Sequence, residues 1–175
     1  MLIISQVIGV AAVGLYLLSF QMKKRIHIVW VTCVSNALYV LQYILLGAFS
    51  GAIMDFLSTV SSFFAGKKNS FSFSKYAKVI AWLNLAAIAA VGVAVAAVRK
   101  NPVELLATAG AIFSTGGLWC DNEQTIRKFG LCSTPCWLVY NFLSQAYGAS
   151  VGSVLAVVSI VTSMVRYREK KNDIC

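Results

Sequence analysis

The chain has 175 residues, 59% of them hydrophobic and only 12% charged, about half the charged fraction of an ordinary water-soluble domain. That composition argues against a soluble globular protein and for a polytopic integral membrane protein. The formal net charge of +9 falls in short connections between apolar runs, with neither a basic helix face nor a basic groove lined by stacking aromatics, so it does not indicate nucleic-acid binding.

Several apolar runs approach the roughly 20 residues needed to cross a hydrocarbon core of about 30 Å. The first, over residues 2–20, lacks the positive n-region and A-x-A cleavage pattern of a signal peptide, and Lys23, Lys24 and Arg25 follow it; it reads as a retained span. A basic turn leads to span 2 over 28–46, and a tight uncharged turn from Gly47 to Gly51 leads to span 3 over 52–64. Span 3 is short, which implies a start before Gly51 or shielding by neighbours. The longest connection, Lys67 to Lys78, precedes span 4 over 76–98, which only Lys78 and Asn84 interrupt. Pro102 suits the first turn of span 5, where its missing N–H removes no bond. Span 5 runs to Trp119, a polar loop covers 121–130, span 6 covers 131–147, a second tight turn runs from Gly148 to Gly152, and span 7 ends near Tyr167 before a charged tail.

With seven spans and the N-terminus outside, the inner connections hold most of the Lys and Arg and the outer ones only Arg99 and Lys100, as the positive-inside rule requires. The turns Gly47-Ala48-Phe49-Ser50-Gly51 and Gly148-Ala149-Ser150-Val151-Gly152 align, and the same register pairs Tyr39 with Tyr140 and Ser58 with Ser159. The expected fold is therefore all-α and membrane-embedded. Residues 1–66 form one three-helix repeat, 67–98 a basic loop and linker helix, and 99–175 a second three-helix repeat with a charged cytoplasmic tail. The fourth span keeps both repeats in one orientation, a 3+1+3 plan of the kind parallel-repeat transporters use.

Polar groups at membrane depth are costly and mark candidate sites. Asp55 is the one acid well inside an apolar span, suited to a charged solute or to proton coupling; a packed, protonated Asp is the structural alternative. Asn36 and Asn141 also fall near mid-depth, where an amide can donate and accept for a polar solute or bridge helices. Trp137 and Tyr140 flank Asn141 and offer faces for stacking on a sugar or heterocyclic ring, or simply packing. Glu104, one turn into span 5, suits a helix N-terminus, and Trp30, Trp82 and Trp119 read as interfacial anchors. Cys132 and Cys136 stand one turn apart, but no His or acid joins them, and the five cysteines read as buried free thiols. No cofactor or metal site is expected. With no triad, no HExxH and no glycine-rich phosphate loop, neither is an enzyme.

The run from Pro102-Val103-Glu104-Leu105-Leu106 through Ser114-Thr115, Cys132-Ser133-Thr134, Cys136-Trp137 and Asn141-Phe142 resembles the YgjV-type bacterial inner-membrane protein family. The resemblance implies a multi-pass protein of the bacterial cytoplasmic membrane. More remotely, the 3+1+3 layout is similar to the PQ-loop and SWEET superfamily, with Phe20-Gln21 where those proteins carry Pro-Gln. By that resemblance the third helix of each repeat supplies a polar residue to the solute, at Asp55 and at the apolar Ala156. The expected function is alternating-access transport of a small polar solute, sugar-like by the remote resemblance. The alternative is a membrane sensor or assembly partner with a carrier-like fold. The sequence leaves the oligomeric state open.

Overall fold

The computed structural model describes residues 2–70 and 74–172 of the chain, without the side chains of 2 and 168–172. Cys175 lies outside them. The described residues form seven helices: α1 Leu2–Gln21, α2 Arg25–Leu46, α3 Phe49–Lys67, α4 Ala77–Arg99, α5 Glu104–Trp119, α6 Glu123–Leu143 and α7 Tyr147–Asn172. Four segments, Ile3–Gln21, Arg25–Leu46, Ala77–Arg99 and Tyr147–Tyr167, are long and apolar enough to cross a membrane. The remaining three are more polar or shorter. Helix α3 carries Asp55 and four serines; α6 opens with Glu123, Arg127 and Lys128. Helix α5, with 16 residues, is about 24 Å long at 1.5 Å per residue.

Helix α2 packs between α1 and α3, and α6 between α5 and α7; α1 also meets α7, α3 also meets α5, and α4 leans on α3 and α5. Helix α4 buries only Ile88 and Gly92. Large apolar side chains such as Trp82, Leu83 and Val98 stay on the outside of the bundle, while polar ones such as Ser35, Ser58, Ser62, Thr115 and Ser133 are buried within it. That inverted distribution suits lipid as the surrounding solvent, where buried polar groups bridge helices.

Span 3 starts earlier than its apolar core, at Phe49, and the first turn shrinks to Gly47 and Ala48. The second half departs further from expectation. Residues 123–130 are helix rather than loop, because the Asn122 side chain accepts hydrogen bonds from the Gln124 and Thr125 amides (2.8 and 3.4 Å) and caps α6. Gly148 and Gly152 are helical, inside α7. The turn lies at Ser144–Ala146, with Gln145 in the left-handed region at φ 59°.

Gly47, at φ 72°, takes that same role after α2. Its amide donates to Ile44 O and that of Ala48 to Tyr43 O, at 3.1 and 2.9 Å. Those of Gln145 and Ala146 donate to Phe142 O and Asn141 O, at 3.2 and 2.9 Å. The two turns therefore match at a separation of 98 residues (Gly47 to Gln145), not at the separation that aligned Gly47 with Gly148. The same shift relates contacts between helices. Gln21 Nε2 donates to Ser159 Oγ across α1 and α7, and Trp119 Nε1 to Ser61 Oγ across α5 and α3, both at 2.8 Å. The half-buried Trp119 thus ties α5 to α3 through its indole N–H.

One end of the bundle is fastened by basic side chains on helix C-termini, whose last carbonyls lack intrahelical partners. Arg25 donates through Nη2 to Leu118 O (2.7 Å) and Ala65 O (3.1 Å), and through Nε to Cys120 O (2.7 Å). Arg127, 1% exposed, donates to Phe20 O (3.3 Å) and Met22 O (3.0 Å) and stacks on Tyr167. Phe20 and Met22 correspond to Leu118 and Cys120 under the 98-residue shift, so each arginine closes the helix end in the opposite half. Lys68 adds a bond to Trp119 O (2.7 Å) and an ion pair with Asp121 (2.6 Å). At the other end Arg99 pairs with the buried Glu104 at 3.5 Å.

Candidate functional site

Among α1, α2, α3, α5, α6 and α7 lies a small cavity lined by residues from all six helices. Its lining forms five pairs at the same 98-residue separation: Tyr16 with Ser114, Asn36 with Thr134, Tyr39 with Trp137, Tyr43 with Asn141, and Asp55 with Ser153. The pairs join α1 to α5 once, α2 to α6 three times and α3 to α7 once.

Asp55 enters from α3, two turns after the Gly47–Ala48 turn. The residue is 6% exposed, and its backbone carbonyl accepts the Thr59 hydroxyl at 2.7 Å. Among the described residues its carboxylate has no hydrogen-bond or ion-pair partner. Ser153, 98 residues further on, lines the same cavity, whereas the expected counterpart, Ala156, is fully buried outside the lining.

The α2 and α6 sides supply amides and rings. Asn141 accepts a hydrogen bond from the Tyr43 hydroxyl, a bond that ties α6 to α2 across the cavity. Tyr39, Tyr43 and Trp137 form a near-parallel series, with centroids 6.2 and 6.4 Å apart and interplanar angles of 22° and 17°. Gly110 makes room for Trp137: a β-carbon there would stand 2.8 Å from Nε1.

Asp55, Asn36, Asn141 and Trp137 therefore meet around one space, as their mid-depth polarity suggests. Tyr140 does not line it. Its hydroxyl accepts the Gly51 amide at 2.8 Å and shares a hydrogen bond with Ser50 at 2.9 Å. Gly51 lies in the first turn of α3, where amides lack helical partners, and Ala48 provides no side-chain cap. Tyr140 is thus a remote cap on α3, admitted by the absence of a β-carbon at Gly51. Tyr16, Tyr39, Tyr43, Ser114, Thr134 and Ser153 complete the lining and were not among the expected site residues. Ser114 and Thr134 do belong to the stretches that carry the family resemblance.

The cysteines stand apart from this cavity. Cys33 is buried, Cys120 and Cys136 are half-buried, and Cys132 is exposed on the outside of the bundle, so burial is not general to them. Among the described residues no three His, Cys, Asp or Glu side chains converge as metal ligands would.

The family model for bacterial inner membrane proteins of the Imp-YgjV type matches residues 3–171. The chain belongs to the Imp-YgjV family. Among curated proteins, the inner membrane protein YgjV of Escherichia coli (strain K12) is 39% identical over 51 residues, 29% of this chain and 28% of that protein. The aligned stretch thus spans little more than a quarter of that relative. No solved structure matches the chain. Family and fold together make this an inner-membrane protein with several membrane-spanning helices, as the resemblance of the 102–148 stretch implied.

Proposed function

We propose that this Imp-YgjV protein is a carrier for a small polar solute, working by alternating access between two three-helix units joined by α4. The observation that carries the reading is the cavity lining. A polar, aromatic space inside an apolar bundle takes matching positions from both halves, as a solute held between two rocking units requires. The reciprocal neighbours α1–α7 and α3–α5 support the same two-unit plan. In it all seven helices cross the bilayer, with α3, α5 and α6 shielding their polar residues inward. The arginine-fastened end is cytoplasmic by the positive-inside rule, which puts the N-terminus outside and the C-terminus inside.

In this mechanism Asp55 supplies the charge, and its protonation couples solute movement to protons. Asn36 and Asn141 hydrogen-bond the solute, and Trp137 with Tyr39 and Tyr43 stacks against it. The remote similarity to PQ-loop and SWEET proteins fits this layout.

The test is counterflow uptake in proteoliposomes with a pooled panel of sugars, nucleosides, vitamins, amines and amino acids. Wild type and Asp55→Ala are compared at two pH values. Uptake lost in the variant supports the carrier and its site, and uptake that survives keeps the carrier but discards Asp55. No uptake by folded protein refutes transport and favours a sensor or assembly partner.

A further inference from the structure

The cavity holds one carboxyl group and supplies no cation to balance it when it ionises. Asp55 is the only charged residue in its lining among the described residues, and no Lys, Arg or His joins it there. A carboxylate removed from water stays ionised only when another group compensates it, and otherwise takes up a proton. The rest of the lining is biased to the same sign. Tyr16, Tyr39, Tyr43 and Trp137 place four aromatic rings around the space, and the face of such a ring carries negative potential that attracts cations. An anion would meet the carboxylate and the rings with no donor cation to offset them. A neutral sugar would find hydrogen bonds but would leave Asp55 to carry a proton.

We infer that the solute is a small organic cation, an amine or quaternary ammonium compound. Its nitrogen sits between the Asp55 carboxylate and the ring wall, and a polar group at its other end bonds the Asn36 amide or the Ser153 hydroxyl. The inference rests on reading the cavity as a solute site and adds the solute's charge and chemical class. The 98-residue pairing gives it direction. Only one member of the Asp55–Ser153 pair is acidic, so the solute binds with its charged end toward α3.

The test is binding to the purified full chain in detergent, measured by equilibrium dialysis and thermal shift. Choline and ethanolamine are compared with 3,3-dimethyl-1-butanol, the uncharged isostere of choline, and with ethylene glycol. Choline or ethanolamine should bind about tenfold or more tighter than its neutral partner. Asp55→Asn should erase that preference while leaving elution volume and melting temperature close to wild type. Equal binding of charged and neutral partners overturns the inference. So does a preference that survives Asp55→Asn, or no binding of either amine to folded protein. Uptake in proteoliposomes separates this result from the carrier reading. Binding of an amine without uptake leaves the cation site standing and refutes the carrier. Uptake of a neutral solute that no amine competes with keeps the carrier and refutes the cation.

Discussion

Gly152 of α7 sits where α1 crosses it. A β-carbon built there would lie 2.2 Å from Val13 Cγ2 and 2.7 Å from Cγ1. Valine is stiff at χ1, and Val13 is itself buried, so the side chain has no easy rotamer to escape into and the helices must part. Overpacking of this kind costs about 1–3 kcal/mol. For a chain of this length each kcal/mol lowers the melting temperature by roughly 2–4 °C, so Gly152→Ala should melt roughly 2–12 °C below wild type. Thermal unfolding of the detergent-purified protein, followed by tryptophan fluorescence, reads this directly. Val13→Ala removes the obstructing methyls, and in the double variant the methyl added at position 152 occupies the vacated space. The two substitutions should therefore couple favourably, by about 0.5–3 kcal/mol. Gly152→Ala at the wild-type melting temperature, or a double variant that loses the full sum of the singles, would refute this account of the α1–α7 contact.

Other outcomes follow from particular residues. Arg127→Ala removes two charge-assisted bonds to the end of α1 and should cost about 3 kcal/mol or more, with Arg127→Lys recovering only part of it; melting curves of both variants check this. Tyr140→Phe leaves the buried Gly51 amide without its acceptor and should cost about 1–3 kcal/mol, while amine affinity in equilibrium dialysis stays unchanged because Tyr140 does not line the cavity. Gln145→Gly relieves a left-handed backbone at a non-glycine residue and should raise stability by up to about 1 kcal/mol, which a higher melting temperature would register. The Lys68 ammonium, by hydrogen-bonding Asp121, holds that carboxyl below the usual carboxylate range. The pair's small contribution is present above the unfolded carboxylate value and disappears as the pH falls through the lower folded one. Asp121→Asn should therefore lower the melting temperature slightly at neutral pH, and the difference from wild type should close at strongly acidic pH.

What the sequence reveals about the fold follows hydropathy and charge. Helices α1, α2 and α4 end within a few residues of their expected limits, because Lys23–Arg25, Gly47 and Arg99–Lys100 punctuate uniformly apolar runs. The start of α6 escapes that logic. Its first two turns are polar because Arg127 and Glu123 turn toward other helix ends in the protein rather than toward lipid, so hydropathy reads them as loop. The α6–α7 turn is hidden for a related reason. A glutamine holds the left-handed position that a glycine holds after α2, while Gly148 and Gly152 resemble a turn although Gly152 serves close approach to Val13. The two turns match three residues short of the Gly47–Gly148 alignment, which paired Asp55 with Ala156 rather than with Ser153. Asp55, Asn36, Asn141 and Trp137 are legible as polar or aromatic groups at depth. Tyr16, Tyr39 and Tyr43 are not, since a tyrosine in an apolar run looks the same whether it packs, anchors at an interface or faces a cavity.

The five matched pairs around the cavity bear on parity. Two identical three-helix chains assembled about a two-fold axis could place charges near that axis only in even numbers: two carboxylates facing across a narrow space, or none. In the proposed two-unit plan, joining two copies through α4 frees each position from its twin, as at Asp55 and Ser153. On the two-unit reading, a site with a single charge at its centre, and therefore with a head and a tail, is open to a fused chain and closed to a symmetric dimer of its halves. A half-length chain that paired with itself would lose that polarity even if it kept every helix.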